Sequence, residues 1–134
     1  MLGIGDAGHS ENDPASANPL IVQVACAVPD GAGGAPLLSG SIGITLLPGT
    51  RLRRIMGRER IEEEFTCSYE LDPRFRAELE RGGLVVSGVG EGGEVRAVEL
   101  PGLRFHVATL FQPQLSSRLG MPHPLVLALL HAVS

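Results

Sequence analysis

The stretch IEEEFTCSYELDP, residues 61–73, constrains the fold most, because a strand pattern changes there into a helix start. Apolar or small side chains alternate with polar ones along residues 61–71, with Glu63 out of the pattern. This period of two predicts a strand with one buried and one solvated face. Asp72 followed by Pro73 is typical of a helix N-terminus, with a capping carboxylate and a proline at the first helical position. The chain therefore combines strands with helices.

The remaining segments continue this mixture. The patterns predict strands at 19–29, 37–49, 84–89, 94–100 and 105–111, and helices at 51–56, 73–81 and 123–133. No internal repeat and no coiled-coil heptad is present. A chain of 134 residues with 43% hydrophobic residues is long enough for one core. The sequence therefore predicts a single α/β domain over residues 1–134, with a mixed sheet and flanking helices.

Charge and hydropathy exclude two classes of partner. The net charge of −4 comes from 15 acidic and 11 basic residues, without a basic cluster that could neutralise phosphates, so nucleic acid is not expected as a partner. No run approaches the ~20 apolar residues that cross a bilayer, and LVLALL at 125–130 is typical of a buried helix. The N-terminus lacks the features of a signal peptide. We expect a cytoplasmic protein without a membrane segment.

The two cysteines and one histidine are candidates for chemistry. Cys26 and Cys67 lack the CxxC spacing of zinc and redox sites, and the simplest interpretation of each is a small buried thiol. Cys26 is the candidate reactive thiol, because it ends a predicted strand before a Gly-rich loop. His9, between Asp6 and Glu11, has neighbours that can share a metal with it, but a solvated loop is the favoured interpretation and no metal is predicted.

The other histidines and the acidic run have structural interpretations. We expect His106 to be a packed or edge residue of a strand, His123 to help start the last helix, and His131 to lie near the C-terminus of that helix, where positive charge is favourable. The run Glu62 to Glu64 is predicted to form a solvated face, because packed like charges repel.

Six short motifs occur in an order that resembles one known family. They are PGT at 48–50, YE at 69–70, ERGGLVVSG at 80–88, VELPG at 98–102, FQPQ at 111–114 and PHPL at 122–125. Over residues 2–133 the chain resembles the C-terminal half of the glutamine amidotransferase domain of CTP synthase, and is more similar still to CTP synthase C-terminal region-related proteins. The resemblance implies the C-terminal half of a flavodoxin-like class I amidotransferase fold, a link to pyrimidine nucleotide biosynthesis, and no cofactor.

The resemblance also implies an activity, glutamine hydrolysis by a Cys nucleophile, a His base and a Glu that orients the His. In the family the His and Glu occupy an FHPE-like motif. Gln112 and Gln114 stand at those two positions here. A neutral amide does not accept a proton near pH 7 and cannot replace an anionic carboxylate. No catalytic residue is therefore assigned, and the base and its partner are expected to be absent.

Two further departures concern the substrate and the nucleophile. The family has alternating Arg and His before its Tyr–Glu pair, where one cation holds the glutamine carboxylate, whereas residues 64–68 contain no cation. The nucleophile elbow belongs to the N-terminal half of the family domain, so we expect this chain to begin after it. Neither Cys26 nor Cys67 lies in a Gly-x-Cys-x-Gly setting, and no GxxxxGK[ST] loop is present.

Three hypotheses follow. The first is a degenerate amidotransferase-like module, truncated at its N-terminus, that binds a partner or ligand without glutaminase activity. The second is one piece of a CTP synthase-related enzyme, glutamine-hydrolysing or of altered chemistry, that needs an upstream N-terminal polypeptide. The third is a structural protein that forms a homo-oligomer, because a half-sheet leaves an unpaired strand edge and apolar faces.

Overall fold

A computed structural model describes residues 4–24 and 39–134. The strands are β1 (Ala7–His9), β2 (Asn18–Gln23), β3 (Ser39–Leu46), β4 (Arg60–Thr66), β5 (Tyr69–Leu71), β6 (Val85–Val89), β7 (Val95–Glu99) and β8 (Val107–Thr109). The helices are α1 (Arg51–Met56), α2 (Arg76–Arg81), α3 (Pro113–Ser116) and α4 (Pro124–Val133), and a 3-10 turn over Pro73–Phe75 precedes α2. The predicted mixture of strands and helices is confirmed.

The strands described form two sheets. The smaller sheet has the order β1-β2-β5, and the larger has the order β4-β3-β6-β7-β8. β1 and β2 are parallel, and every other pair among the described strands is antiparallel. The segment that leaves β8 hydrogen-bonds to β4, at the opposite end of the strand order, because the Gln112 amide donates to the Glu64 carbonyl at 3.1 Å. The larger sheet therefore curls around the core.

The strand predicted over residues 61–71 is divided between the two sheets. β4 pairs with β3, whereas β5 pairs with β2, and Cys67 and Ser68 connect them. The Ser68 carbonyl accepts the Val24 amide at 2.8 Å, and Ser68 is buried, although the pattern placed it on the wet face. A continuous period of two does not reveal this change of partner strand, because both strands keep the extended backbone.

Local signals place the helix ends correctly. The Thr50 hydroxyl accepts the Arg53 amide at 3.3 Å, and Gly57, with φ of 67°, closes α1 in the left-handed conformation that glycine favours. The carboxylate of Glu99 on β7 also accepts the amides of Arg51 and Leu52, at 2.8 and 3.1 Å. This second, long-range cap joins α1 to the larger sheet.

The core lies between the larger sheet and the helices. Its buried members are Ile44, Leu46, Leu52, Ile61, Ala97, Phe111 and Leu125. α4 contributes only Leu125 to this cluster, and the prediction of a buried helix at 125–130 is wrong: Leu129 and Leu130 are 46% and 54% exposed. α4 rests on the molecule through Leu125, Ala128 and Ala132, spaced i, i+3 and i+7, so its remaining apolar side chains face outward.

Three predicted strands are clearly shorter in the structure. β3 covers Ser39–Leu46 of the predicted 37–49, of which residues 37 and 38 lie outside the described residues. β2 ends at Gln23 and is half-buried, and the part of the predicted strand at 25–29 lies outside the described residues. β8 covers only Val107–Thr109 of the predicted 105–111. None of the helices in the described part of the chain combines the length and apolar character needed to cross a bilayer.

Candidate functional site

The FQPQ segment follows β8 and begins α3. Phe111 is buried in the core, and Gln112 occupies the N-cap position of α3 with Pro113 at the first helical position. The side chain of Gln112 reaches β4, where its Oε1 accepts the Thr66 amide at 2.8 Å. The backbone amide of Gln112 also donates to the Glu64 carbonyl, so two hydrogen bonds join this segment to β4. Gln112 is therefore part of the scaffold.

Gln114, the second predicted site residue, lies two residues further along, within α3. Its side chain is exposed and makes no hydrogen bond within residues 4–24 and 39–134. It faces the solvent side of a shallow groove between β8 and α4. The structure therefore brings Gln112 and Gln114 to the start of the same short helix but gives a structural role only to Gln112.

A buried polar cluster lies beneath this segment. Glu63 and His123 are almost fully buried, with Glu63 Oε1 and His123 Nε2 2.9 Å apart. The Ser116 hydroxyl donates to Glu63 Oε2 at 2.9 Å. The prediction that Glu62 to Glu64 forms a solvated face is thus wrong for Glu63, which points inward with Ile61 on the buried face of β4. A signal was present in the sequence, since Glu63 is in phase with the apolar residues of the strand.

Hydrogen bonding fixes the tautomer of His123. Its Nδ1 accepts the Leu125 amide at 3.1 Å and caps α4, so the ring proton is on Nε2 and is donated to Glu63. The predicted role of His123 in starting the last helix is confirmed. In a nucleophilic triad the histidine lies between hydroxyl and carboxylate, whereas here the carboxylate lies between Ser116 and His123. The cluster therefore connects β4, α3 and α4 and cannot activate Ser116.

Of the two cysteines, Cys67 lies among the described residues. Cys26 lies outside the described residues, so its reactivity stays a prediction. Cys67 is a free, half-buried thiol whose Sγ donates to the Tyr69 carbonyl at 3.6 Å. The stretch before the Tyr–Glu pair, where the family places a cation for the glutamine carboxylate, instead forms the end of β4 and the link to β5.

His9 has a different environment from the one predicted. It ends β1 and is half-buried, so the solvated-loop interpretation is wrong. Its Nδ1 accepts the Glu11 amide at 3.2 Å, and its ring packs against Tyr69 with centroids 4.8 Å apart. Among the described residues no group of three or more His, Cys, Asp or Glu side chains is arranged to hold a metal ion.

The last two histidines lie at element ends. His106 precedes β8 instead of lying within a strand, and its buried Nδ1 has no partner among the described residues. His131 occupies the exposed last turn of α4, as predicted. Neither lies in the lining of the groove beside Gln114.

Comparison with known proteins gives a consistent set of relatives, although no family model matches the chain. The chain is 33% identical to CTP synthase of Saccharolobus solfataricus over 134 residues, which are the whole of this chain and 25% of that protein. It is 36% identical to CTP synthase of Chloroflexus aurantiacus over 128 residues, covering 93% of this chain and 23% of that protein. The chain thus spans about a quarter of the length of the relatives it matches.

The fold is also similar to a solved structure. The glutaminase domain of Trypanosoma brucei CTPS, with bound acivicin, matches with a TM-score of 0.88 and 24% sequence identity. The match covers 98% of this chain and 52% of that chain. The folded unit described here therefore has the architecture of about half of a glutaminase domain.

Proposed function

Because this chain is a homologue of CTP synthases over about a quarter of their length and shares the fold of a glutaminase domain, we propose that it is a degenerate glutaminase-type module. It does not hydrolyse glutamine by itself and acts by binding a partner. A single partial domain over residues 1–134 and a cytoplasmic location belong to the same proposal.

The observation that carries this proposal is the interaction of Gln112 with β4. At the position where the resemblance implies a general base, the Gln112 amide oxygen accepts the Thr66 amide at 2.8 Å. This amide has no basic nitrogen and its acceptor is already used, so it cannot remove a proton from a thiol. The side chain has a folding role in place of a chemical one.

No other described group replaces the lost base. The His–carboxylate pair of Glu63 and His123 is the one such pair within residues 4–24 and 39–134, and it is sealed from solvent. His123 also has both ring nitrogens engaged, one by Glu63 and one by the Leu125 amide. A general base must reach the proton that it abstracts. The pair therefore supports a structural role.

The test is ammonia release from glutamine by the purified chain, with CTP synthase of Chloroflexus aurantiacus as the positive control. We expect no release above buffer from the chain or from Gln112→His, because the substitution restores an imidazole without the carboxylate that would orient it. Ammonia release that Cys26→Ala abolishes would contradict the proposal and make Cys26 the nucleophile. Cys67→Ala is the matched control. Loss of ammonia release in Cys26→Ala but not in Cys67→Ala would show that the effect is specific to Cys26.

A second candidate function is a piece of a CTP synthase-related enzyme that is active only with another polypeptide. The match to 52% of a glutaminase domain favours it. The test adds a polypeptide that carries the part of the glutaminase domain that this chain does not match. Ammonia release that requires both polypeptides would support this candidate over the degenerate module. A third candidate, a homo-oligomeric structural protein, is favoured by the exposed apolar side chains of α4 and is tested by the mass of the chain in solution.

A further inference from the structure

Positive charge is concentrated around α1, although the chain as a whole carries a net charge of −4. Residues 51–60, RLRRIMGRER, contain five of the 11 basic residues of the chain and one acidic residue, Glu59. The prediction that the chain has no basic cluster therefore does not hold for this segment. Like charges that lie close together repel unless an opposite charge is near, so the partners of these arginines decide what the segment can do.

Three of the five arginines have partners within the fold. Arg51 donates to two backbone carbonyls of the loop before β8, at 2.9 and 3.0 Å. Arg60 pairs with Glu91. Arg53 donates to the carbonyl of the last residue of β3 at 3.1 Å and to the Glu59 carboxylate at 3.0 Å. These interactions give the three side chains a structural role.

The other two arginines, Arg54 and Arg58, have no such role. Both are exposed, and within residues 4–24 and 39–134 neither side chain makes a hydrogen bond or an ion pair. Arg54 lies in the last turn of α1, where the helix dipole favours a positive charge. Arg58 follows the helix and gains no comparable stabilisation from its position. A bound anion would supply the missing partner of both.

A cavity brings these two arginines together with Arg53. Gly57 ends α1 in the left-handed conformation, with φ of 67°, and the chain turns so that Arg58 lies beside the last turn of the helix. The cavity has a volume of about 400 Å³, and we call it the α1 arginine pocket. Its lining consists of Gly49, Thr50, Arg53, Arg54, Gly57, Arg58 and Glu59.

The charges of the α1 arginine pocket match a dianion. Three arginines and one glutamate give the lining a net charge of +2. Arg53 uses only two of its five N–H donors within the fold, so further donors remain for a ligand. Guanidinium groups bind phosphate oxygens through strong, charge-assisted hydrogen bonds. We infer that the α1 arginine pocket binds a phosphate dianion, either inorganic phosphate or the phosphate group of a small phosphorylated molecule.

The surroundings favour a compact anion over a nucleic acid. The Glu59 side chain in the lining is 70% exposed. Beyond Arg58 a second depression is lined by Arg60 together with Glu62 and Glu91. A nucleic acid strand carries a charge about every 3.4 Å, so its backbone would extend past the pocket and meet these carboxylates. A single phosphate group fits within the pocket without reaching them.

The α1 arginine pocket is separate from the FQPQ segment. Glu59 precedes the start of β4, whereas Gln112 bonds to Thr66 at its end. A strand of this length spans roughly 20 Å. The inference therefore adds a ligand site to the molecule and does not depend on whether the chain hydrolyses glutamine.

The experiment titrates inorganic phosphate into the full chain at low ionic strength and follows the amide resonances by NMR. Phenyl phosphate is the phosphomonoester probe, sodium chloride at matched ionic strength measures the general effect of salt, and a short single-stranded oligonucleotide tests nucleic acid. Arg54→Gln and Arg58→Gln each remove one charge from the pocket. Arg118→Gln is the matched control, because Arg118 is also exposed, lies outside the pocket, and its loss changes the net charge equally.

We expect saturable shifts of the Gly57 and Arg58 amides with a Kd for phosphate of about 1 mM or tighter. Binding should be at least about fivefold weaker with Arg54→Gln and with Arg58→Gln, and should change by less than about twofold with Arg118→Gln. Tighter binding of phenyl phosphate than of phosphate would identify a small phosphorylated molecule as the ligand, and equal binding would identify the phosphate group alone.

Three results would overturn the inference. The first is the absence of saturable shifts, or shifts that sodium chloride reproduces. The second is equal weakening by Arg54→Gln, Arg58→Gln and Arg118→Gln, which would show a general effect of charge. The third is tighter binding of the oligonucleotide than of either phosphate probe, which would assign the segment to an extended polyanion. Because no glutamine is present, ammonia release by the chain would contradict only the proposed function.

Discussion

At the scale of single residues, Gln112 and Glu63 both connect β4 to the segment that contains α3, but they do so through different interactions. Gln112 joins the start of α3 to the half-exposed end of β4, where water can replace a lost hydrogen bond. Glu63 is buried and accepts from both Ser116 and His123, so its partners have no access to water if it is removed. A buried donor without an acceptor costs more than the hydrogen bond contributes on balance. Glu63 is therefore the more sensitive position.

We predict that Glu63→Ala lowers the free energy of unfolding by about 3 kcal/mol, since one partner of a buried pair is left without the other. Urea unfolding of the variant measures the change. Glu62→Ala is the matched control on the exposed side of the same strand, and we expect a change within about 0.5 kcal/mol.

The double variant Glu63→Ala with His123→Ala, compared with the two single variants, measures the interaction free energy between these two residues. It should be less destabilised than the sum of the single variants, because residues in direct contact are not additive. Strict additivity would mean that Glu63 and His123 act independently, contrary to the 2.9 Å contact between them.

At the scale of elements, the start of the helical segment after β5 depends on Asp72. Its carboxylate accepts the Arg74 amide at 2.9 Å and is held by the Arg74 guanidinium, with the shortest contact at 2.6 Å. The hydrogen bonds from the Arg74 side chain lower the pKa of Asp72, and burial opposes them. The ionised carboxylate is thus favoured in the folded state.

The sign of the pH dependence follows from this lowered pKa. Ionised Asp72 stabilises the fold above the unfolded-state pKa of about 3.9, and the contribution is lost as the pH falls through the lower folded-state pKa. We predict that Arg74→Ala makes the free energy of unfolding fall less steeply between about pH 5 and pH 2, as measured by urea unfolding at each pH.

Arg76→Ala provides the control for this pH dependence. Arg76 pairs with Glu80 on the exposed side of α2, and surface pairs contribute little to stability. The Arg76→Ala variant should keep the steep acid-side decline. If both variants flattened the decline equally, the acid sensitivity would come from general charge and not from Asp72.

The sequence predicts interactions between residues that are close along the chain better than interactions between residues that are far apart. The sequence predicts the cap of the 3-10 turn that precedes α2, because Asp72 acts on Arg74, only two positions away. The Glu63–His123 pair joins residues 60 positions apart, and only the phase of Glu63 within β4 indicated it. No local pattern contains such long-range information.

The candidate site was predictable in the same limited sense. The resemblance pointed to Gln112 and Gln114 as the residues at the family His and Glu positions, but the bond between Gln112 and Thr66 requires the curl of the larger sheet. The exposure of α4 was missed for another reason. An apolar helix predicts burial, and no surface within residues 4–24 and 39–134 covers the outer side of α4.

At the scale of the whole molecule, the two sheets contribute unequally to the core. Every member of the buried core cluster belongs to the larger sheet, the segment after it, or the helices α1 and α4. The residues of β1, β2 and β5 are half-buried or exposed. An apolar gap of about 140 Å³ separates Ile21 and Leu71 of the smaller sheet from Ala97 and Val95 of β7. Packing between the sheets is therefore incomplete.

This difference predicts that the smaller sheet opens before the larger one, since segments with few buried apolar contacts have low local stability. In native-state hydrogen exchange of the chain alone, the Val22 amide in β2 should have a protection factor at least about tenfold smaller than the Leu46 amide in β3, or about 1.4 kcal/mol less opening free energy. Low concentrations of urea should leave Val22 exchange nearly unchanged and accelerate Leu46 exchange, because only global opening exposes much surface. Equal protection with equal urea dependence would show instead that the two sheets unfold as one unit, and that the gap between them does not uncouple them.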